Sequence, residues 1–329
     1  MNAAATTTIE NTKGLNILVT GASGLMGYPI AVELAQHNKV YGAARFTVPA
    51  DEKRLRENGV ETIQFDGGDA DLSKLPKNID VVYHLGAMVG LVAEKPENRQ
   101  AAYNTNAYSA ARLMSRYRDS KAFIFAASGS AYAYQGERPL KEDDLFGFHT
   151  GLETYATTKI GGEFIVQALS REWNTPATIL RIFSLYSPRG GAVTSRIDLL
   201  SAGRSIGLYP GVPNRYCPIY ETDYVRKAIR AIGIAKSPPE VVNFCGNKTV
   251  TIEEYVGIAA RIMGKEPRFD LSGKLYPIWP DVTRTIALLG EDTVSIEEGV
   301  RRVVEAGPTV RLASWASNMP LSTESQPAD

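Results

Sequence analysis

The sequence contains little that could build a metal centre, a disulfide framework or a membrane anchor. Only two cysteines and three histidines occur among 329 residues, and neither Cys217 nor Cys245 lies in a CxxC spacing or beside a histidine pair. We therefore expect structural thiols and no bound metal. No apolar run approaches the roughly 20 residues of a membrane-spanning helix, and the polar N-terminus lacks the apolar stretch of a signal peptide. These absences predict a cytoplasmic protein with no membrane partner.

A net charge is also missing, because Lys plus Arg and Asp plus Glu each total 36. No overall field would draw the chain to nucleic acid, so a nucleic-acid partner is not expected. With 44% hydrophobic residues, the chain can build a substantial core, as one large α/β domain or two modest ones. Residues 1–13 and 316–329 have no periodic apolar face and are expected to be flexible tails.

Short apolar segments alternate with helical patterns in the first half of the chain. Strands are predicted at residues 15–20, 40–43, 62–65, 81–85, 123–127 and 177–182, and helical spacing separates several of them. This alternation predicts an α/β fold with a Rossmann-type, doubly wound parallel sheet. After Ile182 the pattern lapses into a Gly- and Pro-rich segment, which indicates a change of architecture.

A glycine-rich turn follows the first predicted strand and precedes an amphipathic helix. Gly21, Gly24 and Gly27 have GxxGxxG spacing there, which lets the backbone approach a pyrophosphate while the helix N-terminus faces the phosphates. The alternative is a tight strand-to-helix connection without a ligand. The dinucleotide interpretation assigns cofactor contacts to Gly21, Ala22, Ser23, Gly24, Leu25, Met26 and Gly27.

The residue after the second strand bears on which dinucleotide binds. An acidic residue at that point would bind the ribose 2′-hydroxyl of NAD, whereas this chain has Ala44 and then Arg45. An arginine can pair with a 2′-phosphate, so we expect NADP in preference to NAD. The alternative is a solvated surface arginine.

This cofactor site suggests a division of the chain and a use for its longest helices. Residues 14–184, with about 217–248, are expected to form the dinucleotide-binding domain, and residues 185–216 and 249–312 the smaller C-terminal substrate-binding domain. Two long helical patterns, around residues 98–117 and 155–173, could pair with copies in a second subunit and form a homodimer. Alternatively, both simply cover the sheet.

Three residues form a candidate hydride-transfer site. Tyr155 and Lys159 lie four residues apart at the start of a predicted helix and so share one face. The Lys159 ammonium is expected to lower the pKa of the phenol, so that Tyr155 exchanges a proton with the reacting oxygen while hydride passes to or from a nicotinamide. Ser128 ends the strand AFIFAAS, at the sheet edge where such folds bind ligands.

The order of these motifs resembles the extended short-chain dehydrogenase/reductase superfamily, also called the NAD-dependent epimerase/dehydratase family, over roughly residues 15–305. GASGLMG is similar to its TGxxGxxG turn, VVYHLGA to its D-hhHLAA strand, ASGSAY to SSxxVYG, and YATTK to YxxxK. The resemblance selects Ser128 over Ser130 as the catalytic serine. It implies that Asn106 orders the site and that Asp69 contacts adenine, and it adds the cofactor contacts Leu85, Gly86, Ala87 and Ile182.

Two departures from the family bear on the substrate. The asparagine of the family's RxFN motif is Ser184 here, and the arginine before FIYVDD is shifted to Arg215; Ser130, Ser184 and Arg215 are candidate substrate contacts. These departures weaken a nucleotide-sugar interpretation. The sequence therefore favours an NAD(P)-dependent reductase or dehydrogenase acting on the carbonyl or secondary alcohol of a small metabolite. The alternatives are a nucleotide-sugar epimerase or dehydratase with tightly bound NAD, and a catalytically silent dinucleotide-binding regulator.

Overall fold

The structure, a computed structural model, describes residues 12–147 and 151–310. Nearly all of the predicted tails, residues 1–11 and 316–329, lies outside the described residues. The strands are β1 (Asn16–Thr20), β2 (Lys39–Ala44), β3 (Glu61–Gln64), β4 (Val81–His84), β5 (Ala122–Ser128), β6 (Ala177–Ile182), β7 (Leu185–Ser187), β8 (Gly190–Gly191), β9 (Ile206–Gly207), β10 (Arg215–Tyr216), β11 (Ile219–Tyr220), β12 (Glu240–Phe244), β13 (Val250–Thr251) and β14 (Phe269–Asp270).

The α-helices follow the strands in alternation through most of the chain. They are α1 (Gly27–Ala35), α2 (Pro49–Glu57), α3 (Leu91–Glu94), α4 (Arg99–Tyr103), α5 (Ser109–Arg116), α6 (Glu153–Trp173), α7 (Ala192–Ser201), α8 (Glu221–Gly233), α9 (Ile252–Met263), α10 (Thr283–Leu289) and α11 (Ile296–Ala306). A π-helical turn, Asn104–Tyr108, joins α4 to α5. The helix predicted around residues 98–117 is therefore present, but with this wider turn in its middle.

Within the described residues, seven parallel strands form the main sheet in the order β3-β2-β1-β4-β5-β6-β12. The predicted doubly wound parallel sheet is confirmed. Alternate residues of β1 reach different apolar clusters, because Ile17 and Val19 pack on one face of the sheet and Leu18 on the other. Helices cover both faces, which is why β5 is buried along its whole length and is almost continuously apolar.

A third apolar cluster lies in the second half of the chain and includes Val193, Ile197, Val256, Ala259 and Val300, on α7, α9 and α11. Helix α9 is well delimited there, since Thr251 and Glu254 form a reciprocal capping box and Gly264 ends the helix in the left-handed conformation. The division into cofactor and substrate domains stays a prediction, and its residues 311–312 lie outside the described part.

The described residues include neither a membrane-spanning helix nor a cluster of metal ligands. Between residues 12–147 and 151–310, no helix combines the length and apolar character needed to cross a bilayer. Nor do three His, Cys, Asp or Glu side chains of these segments converge as metal ligands would. Both cysteines are buried and unpaired, and burial raises the pKa of the Cys217 thiol to about 11.

Candidate active site

A cleft of about 610 Å³ opens at the carboxyl edge of the main sheet, between β1 and β4, where the strand order reverses. Ser23, Gly24, Leu25, Met26 and Gly27 line it, as do Gly21, Leu85, Gly86, Ala87 and Ile182 from the predicted cofactor contacts. Ala22 does not, because its side chain is fully buried against Gly42.

The glycine turn is packed so closely that side chains would not fit in it. Gly21 has φ +70°, and a Cβ there would lie 2.7 Å from Gly86 Cα; a Cβ on Gly27 would lie 2.2 Å from the carbonyl oxygen of Gly21. The following helix, α1, has no acidic residue in its first turn, so nothing opposes a phosphate at its positive end. This closely packed turn and the positive end of α1 fit the pyrophosphate of a dinucleotide.

The opposite end of the cleft differs in part from the sequence prediction. Arg45 lines the cleft with an exposed side chain, as expected of a residue near the ribose. Asp69, by contrast, is exposed and lies outside the cleft, because the chain turns after β3 through an Asp69 N–H to Asp66 C=O hydrogen bond. Asp66 lines the cleft in its place, beside Gly67.

A row of buried hydrogen bonds runs beneath this cleft. The Gly86 N–H donates to Thr20 Oγ1 (3.2 Å), which lies 2.9 Å from His84 Nδ1, and His84 Nε2 lies 2.7 Å from Ser109 Oγ. The Ser109 hydroxyl donates to the carbonyl of Thr105, so it accepts from Nε2–H of His84. Burial together with the charge of Lys159 lowers the pKa of His84 to about 3, so the ring is neutral near pH 7 and its Nδ1 accepts a hydrogen bond from the Thr20 hydroxyl.

The three predicted hydride-transfer residues are brought together. The Ser128 hydroxyl hydrogen-bonds the Tyr155 phenol, and Ser128 Oγ also accepts the N–H of Ser130 (3.1 Å). Tyr155 and Lys159 both line the cleft, and the Lys159 Nζ lies 4.7 Å from the centroid of the Phe125 ring. A hydroxyl, a phenol and an amine thus lie at the end of β5 and the first turns of α6.

The protonation of this group differs from the sequence expectation. Burial raises the pKa of Tyr155 and only the Ser128 hydrogen bond opposes that effect, so the predicted lowering by Lys159 is not seen. Burial also lowers the pKa of Lys159 to about 7, against the attraction of the Glu163 carboxylate. Desolvation outweighs the pairwise attraction because Lys159 is almost fully buried and Tyr155 is partly buried at the wall of the cleft.

Asn106 lies in the π-helical turn and is fully buried. Its Oδ1 accepts the N–H of Met88 (2.8 Å), and its Nδ2 donates to the Met88 carbonyl (2.9 Å) and to Thr158 Oγ1 (2.9 Å). Turns of this kind recur at functional sites because they redirect one residue of a helix. Asn106 therefore joins the loop after β4 to α6, and its role in ordering the site stays a prediction.

Glu94 is a site residue that sequence reasoning missed. Helix α6 starts after Leu152, which has no side-chain cap, and the Glu94 carboxylate accepts the N–H groups of Thr154 (3.0 Å) and Tyr155 (2.8 Å) instead. A negative charge is favourable at a helix N-terminus. The short helix α3 thus fixes the backbone of the residue that carries the phenol.

The three candidate substrate contacts are placed differently from one another. Ser184 lines the cleft beside Ile182. Ser130 and Arg215 do not line it, and the Arg215 guanidinium lies 5.3 Å from the Trp279 ring centroid and 3.3 Å from a Glu137 oxygen. A substrate contact by any of these three residues stays a prediction.

Comparisons with known proteins support the fold and show the family. The model of the family described as NAD dependent epimerase/dehydratase matches residues 17–245. A UDP-glucuronate 4-epimerase from Thermodesulfobacterium geofontis is 25% identical over 87% of this chain and 94% of its own length. A protein from Bacillus subtilis described as an uncharacterized UDP-glucose epimerase is 25% identical over 87% of this chain and 96% of its own length.

Solved structures also match most of the length of this chain. The crystal structure of UDP-glucuronic acid 4-epimerase from Bacillus cereus, in complex with UDP-glucuronic acid and NAD, has a TM-score of 0.78 and 25% identity. The alignment covers 89% of this chain and 98% of that one.

Proposed function

The chain belongs to the NAD-dependent epimerase/dehydratase family, and on that premise we propose that it is a UDP-sugar 4-epimerase that uses NAD. The observation that carries the proposal is the Ser128, Tyr155 and Lys159 group at the edge of a glycine-turn cleft, in a chain similar over most of its length to UDP-sugar 4-epimerases. Bound NAD would supply the acceptor and donor of hydride at the reacting carbon.

The chain's own residues have separate tasks in this reaction. Tyr155 takes the proton of the hydroxyl on the reacting sugar carbon as that carbon is oxidised to a ketone. It returns the proton to the same oxygen after the ketone has turned to present its opposite face. The Ser128 hydroxyl, which hydrogen-bonds the phenol, stabilises the phenolate and holds the substrate oxygen. Lys159 is charged for about half of the time near pH 7, and in that state it favours the phenolate against the effect of burial.

The relatives support this proposal over the NAD(P)-dependent reductase or dehydrogenase that the sequence favoured. Ser184, in place of the family's asparagine, counted against a nucleotide sugar, yet two relatives that each match 87% of this chain are named for UDP-sugar epimerases. The NADP preference expected from Arg45 has no support either, since the similar crystal structure holds NAD. We propose that Asp66, which lines the cleft where Asp69 was expected, contacts the adenosine.

Cofactor retention and product analysis together test the proposal. The purified protein is denatured and the supernatant is assayed for NAD, and the native protein is incubated with UDP-glucuronate, UDP-glucose and UDP-N-acetylglucosamine. We expect retained NAD and formation of a 4-epimer from at least one of these sugars. An empty protein that forms no epimer and oxidises NADPH with a panel of carbonyl compounds would support the reductase instead.

Tyr155→Phe provides the matched control. It removes the proton that must move and keeps the ring, so we expect loss of most turnover with retained NAD binding. Unchanged turnover in this variant would exclude Tyr155 from the reaction.

The proposal also covers the location of the protein, its assembly and its substrate-binding domain. A cytoplasmic homodimer is proposed, with α5 and α6 in the interface, because Tyr108 beside α5 and Phe164 on α6 are 48% and 52% exposed. Sedimentation of Phe164→Glu checks the interface, since a buried charge there would shift the protein toward the monomer. We also propose that the residues of the third apolar cluster belong to the substrate-binding domain.

A further inference from the structure

A buried ion pair lies one helical turn beyond Lys159. Glu163 is fully buried on α6, and its carboxylate oxygens accept Arg181 Nη2 (2.7 Å) and Nε (3.1 Å) from β6. Removing both charges from water costs several kcal/mol, and such a pair is often no more stable than an apolar pair of the same volume. Stability alone is thus a weak reason for this pair.

Arg181 connects the pair to the segment that follows Ser128. Its Nη1 donates to the Tyr132 hydroxyl (2.7 Å) and to the Glu142 carbonyl (2.9 Å). The guanidinium also lies 4.8 Å from the Tyr132 ring centroid and 4.6 Å from that of Phe146. The single guanidinium therefore ties helix α6 to both ends of the loop that starts at Ser128.

The pair also faces the amine of the active site. Lys159 and Glu163 are four residues apart on α6 and so lie on one face of the helix. Lys159 is 2% exposed, and Glu163 is the carboxylate whose attraction opposes the desolvation of the ammonium. Arg181 holds that carboxylate in place and offsets part of its charge.

We propose that Glu163 is a positioning residue of this active site: through Arg181 its carboxylate holds the Ser128 loop against α6, and its charge favours the protonated form of the Lys159 amine one helical turn away. The proposal rests on the proposed function for its kinetic consequence. The electrostatic part does not depend on which sugar is the substrate.

Glu163→Gln is the informative substitution, because it removes the charge and keeps the shape. Removing this negative charge favours the deprotonated form of the Lys159 amine, so the pKa of Lys159 should fall. We expect the limb of the pH profile of kcat that reports Lys159 to move to lower pH, by about one pH unit or more. Glu163→Asp, which keeps the charge, should restore this limb toward its wild-type position.

A control separates this effect from lost stability. Glu240 is also a buried carboxylate paired with two cations, Lys236 and Arg284, but it lies at the other end of the sheet, at the start of β12. Glu240→Gln should reduce stability and leave the Lys159 limb in place. Movement of this limb in Glu240→Gln as large as in Glu163→Gln would overturn the proposal.

A spectroscopic titration tests the electrostatic part without turnover. The side-chain 15N resonances of lysine are followed against pH by NMR in the NAD-bound protein, and the titration that disappears in Lys159→Met is assigned to Lys159. We expect this titration at lower pH in Glu163→Gln, and an unmoved titration overturns the proposal even if the wild-type enzyme is an epimerase. If instead no sugar is epimerised but the titration moves, the proposed function fails and the role of Glu163 stands.

A second variant covers the case in which Glu163→Gln does not fold. Arg181→Gln removes the positive partner, so the carboxylate acts on Lys159 without an offset. The Lys159 titration should then move to higher pH, opposite to its movement in Glu163→Gln. Movement to lower pH would overturn the proposal.

Discussion

Two adjacent glycines in α6 allow a matched test of how the active-site helix is seated. A Cβ on Gly162 would lie 2.4 Å from the carbonyl oxygen of Asn106 and 2.8 Å from Phe125 Cζ, whereas a Cβ on Gly161 would meet only Ala107 Cβ at 3.6 Å. The first contact is with backbone of the π-helical turn, which cannot move aside as a flexible side chain can. The second is ordinary van der Waals contact.

The two alanine substitutions should therefore have opposite effects on stability. Alanine gains about 1 kcal/mol of helix propensity over glycine in a helix interior, and Gly161→Ala should keep most of that gain. Overpacking of a dense core typically costs about 1–3 kcal/mol, so Gly162→Ala should be destabilising after the same gain is subtracted. We expect a difference of about 1–3 kcal/mol between the variants, since the propensity gain is common to both.

Urea unfolding of both variants measures this difference directly. Turnover should follow it, because Asn106 fixes Met88 and Thr158, and a displaced carbonyl moves the loop beneath the substrate. Gly161→Ala should keep wild-type activity and Gly162→Ala should lose it. Equal free energies of unfolding, or a more stable Gly162→Ala, would refute the view that α6 contacts the π turn this closely.

Three further outcomes are expected. The folded-state pKa of Lys159, about 7, lies below the unfolded value of 10.5. The free-energy cost of burying the ammonium is therefore complete below pH 7 and disappears as the pH rises to 10.5. Lys159→Met should stabilise the fold by up to about 5 kcal/mol in acid and by almost nothing at pH 10.5, as measured by unfolding across pH. Glu94→Ala should cost about 1 kcal/mol in unfolding free energy and lower kcat, while Glu97→Ala, in the neighbouring turn, should do neither. Arg45→Asp should leave NAD affinity within a few-fold in calorimetric titration, and a large loss would place Arg45 on NAD itself.

The sheet and the centre of the site were predictable because they depend on local patterns. Strand β5 is apolar along its length since both of its faces are buried, and the four-residue spacing of Tyr155 and Lys159 places them on one helix face wherever that helix lies. Ser128 follows from the end of its strand.

The residues that support the site were not predictable, because distant contacts define them. Glu94 caps a helix residue 61 positions away, and Arg181 reaches Tyr132 across 49 positions. Neither residue stands in a local motif that names its partner. The direction of the Tyr155 pKa was missed for the same reason, since desolvation depends on what the tertiary fold packs around the phenol.

The hydrogen-bonded row under the cleft has a directional consequence. Each hydroxyl in it carries one proton, and each proton is already donated away from the Gly86 amide toward the Thr105 carbonyl. If the hydrogen bond on one side of the His84 ring changed its direction, the bond on the other side would have to change as well. The orientation of the ring therefore depends on both the glycine turn and the π-helical turn. A substitution of Ser109 would therefore disturb the hydrogen bond of Thr20 to His84, so each of the two hydroxyl residues limits the substitutions that the other tolerates.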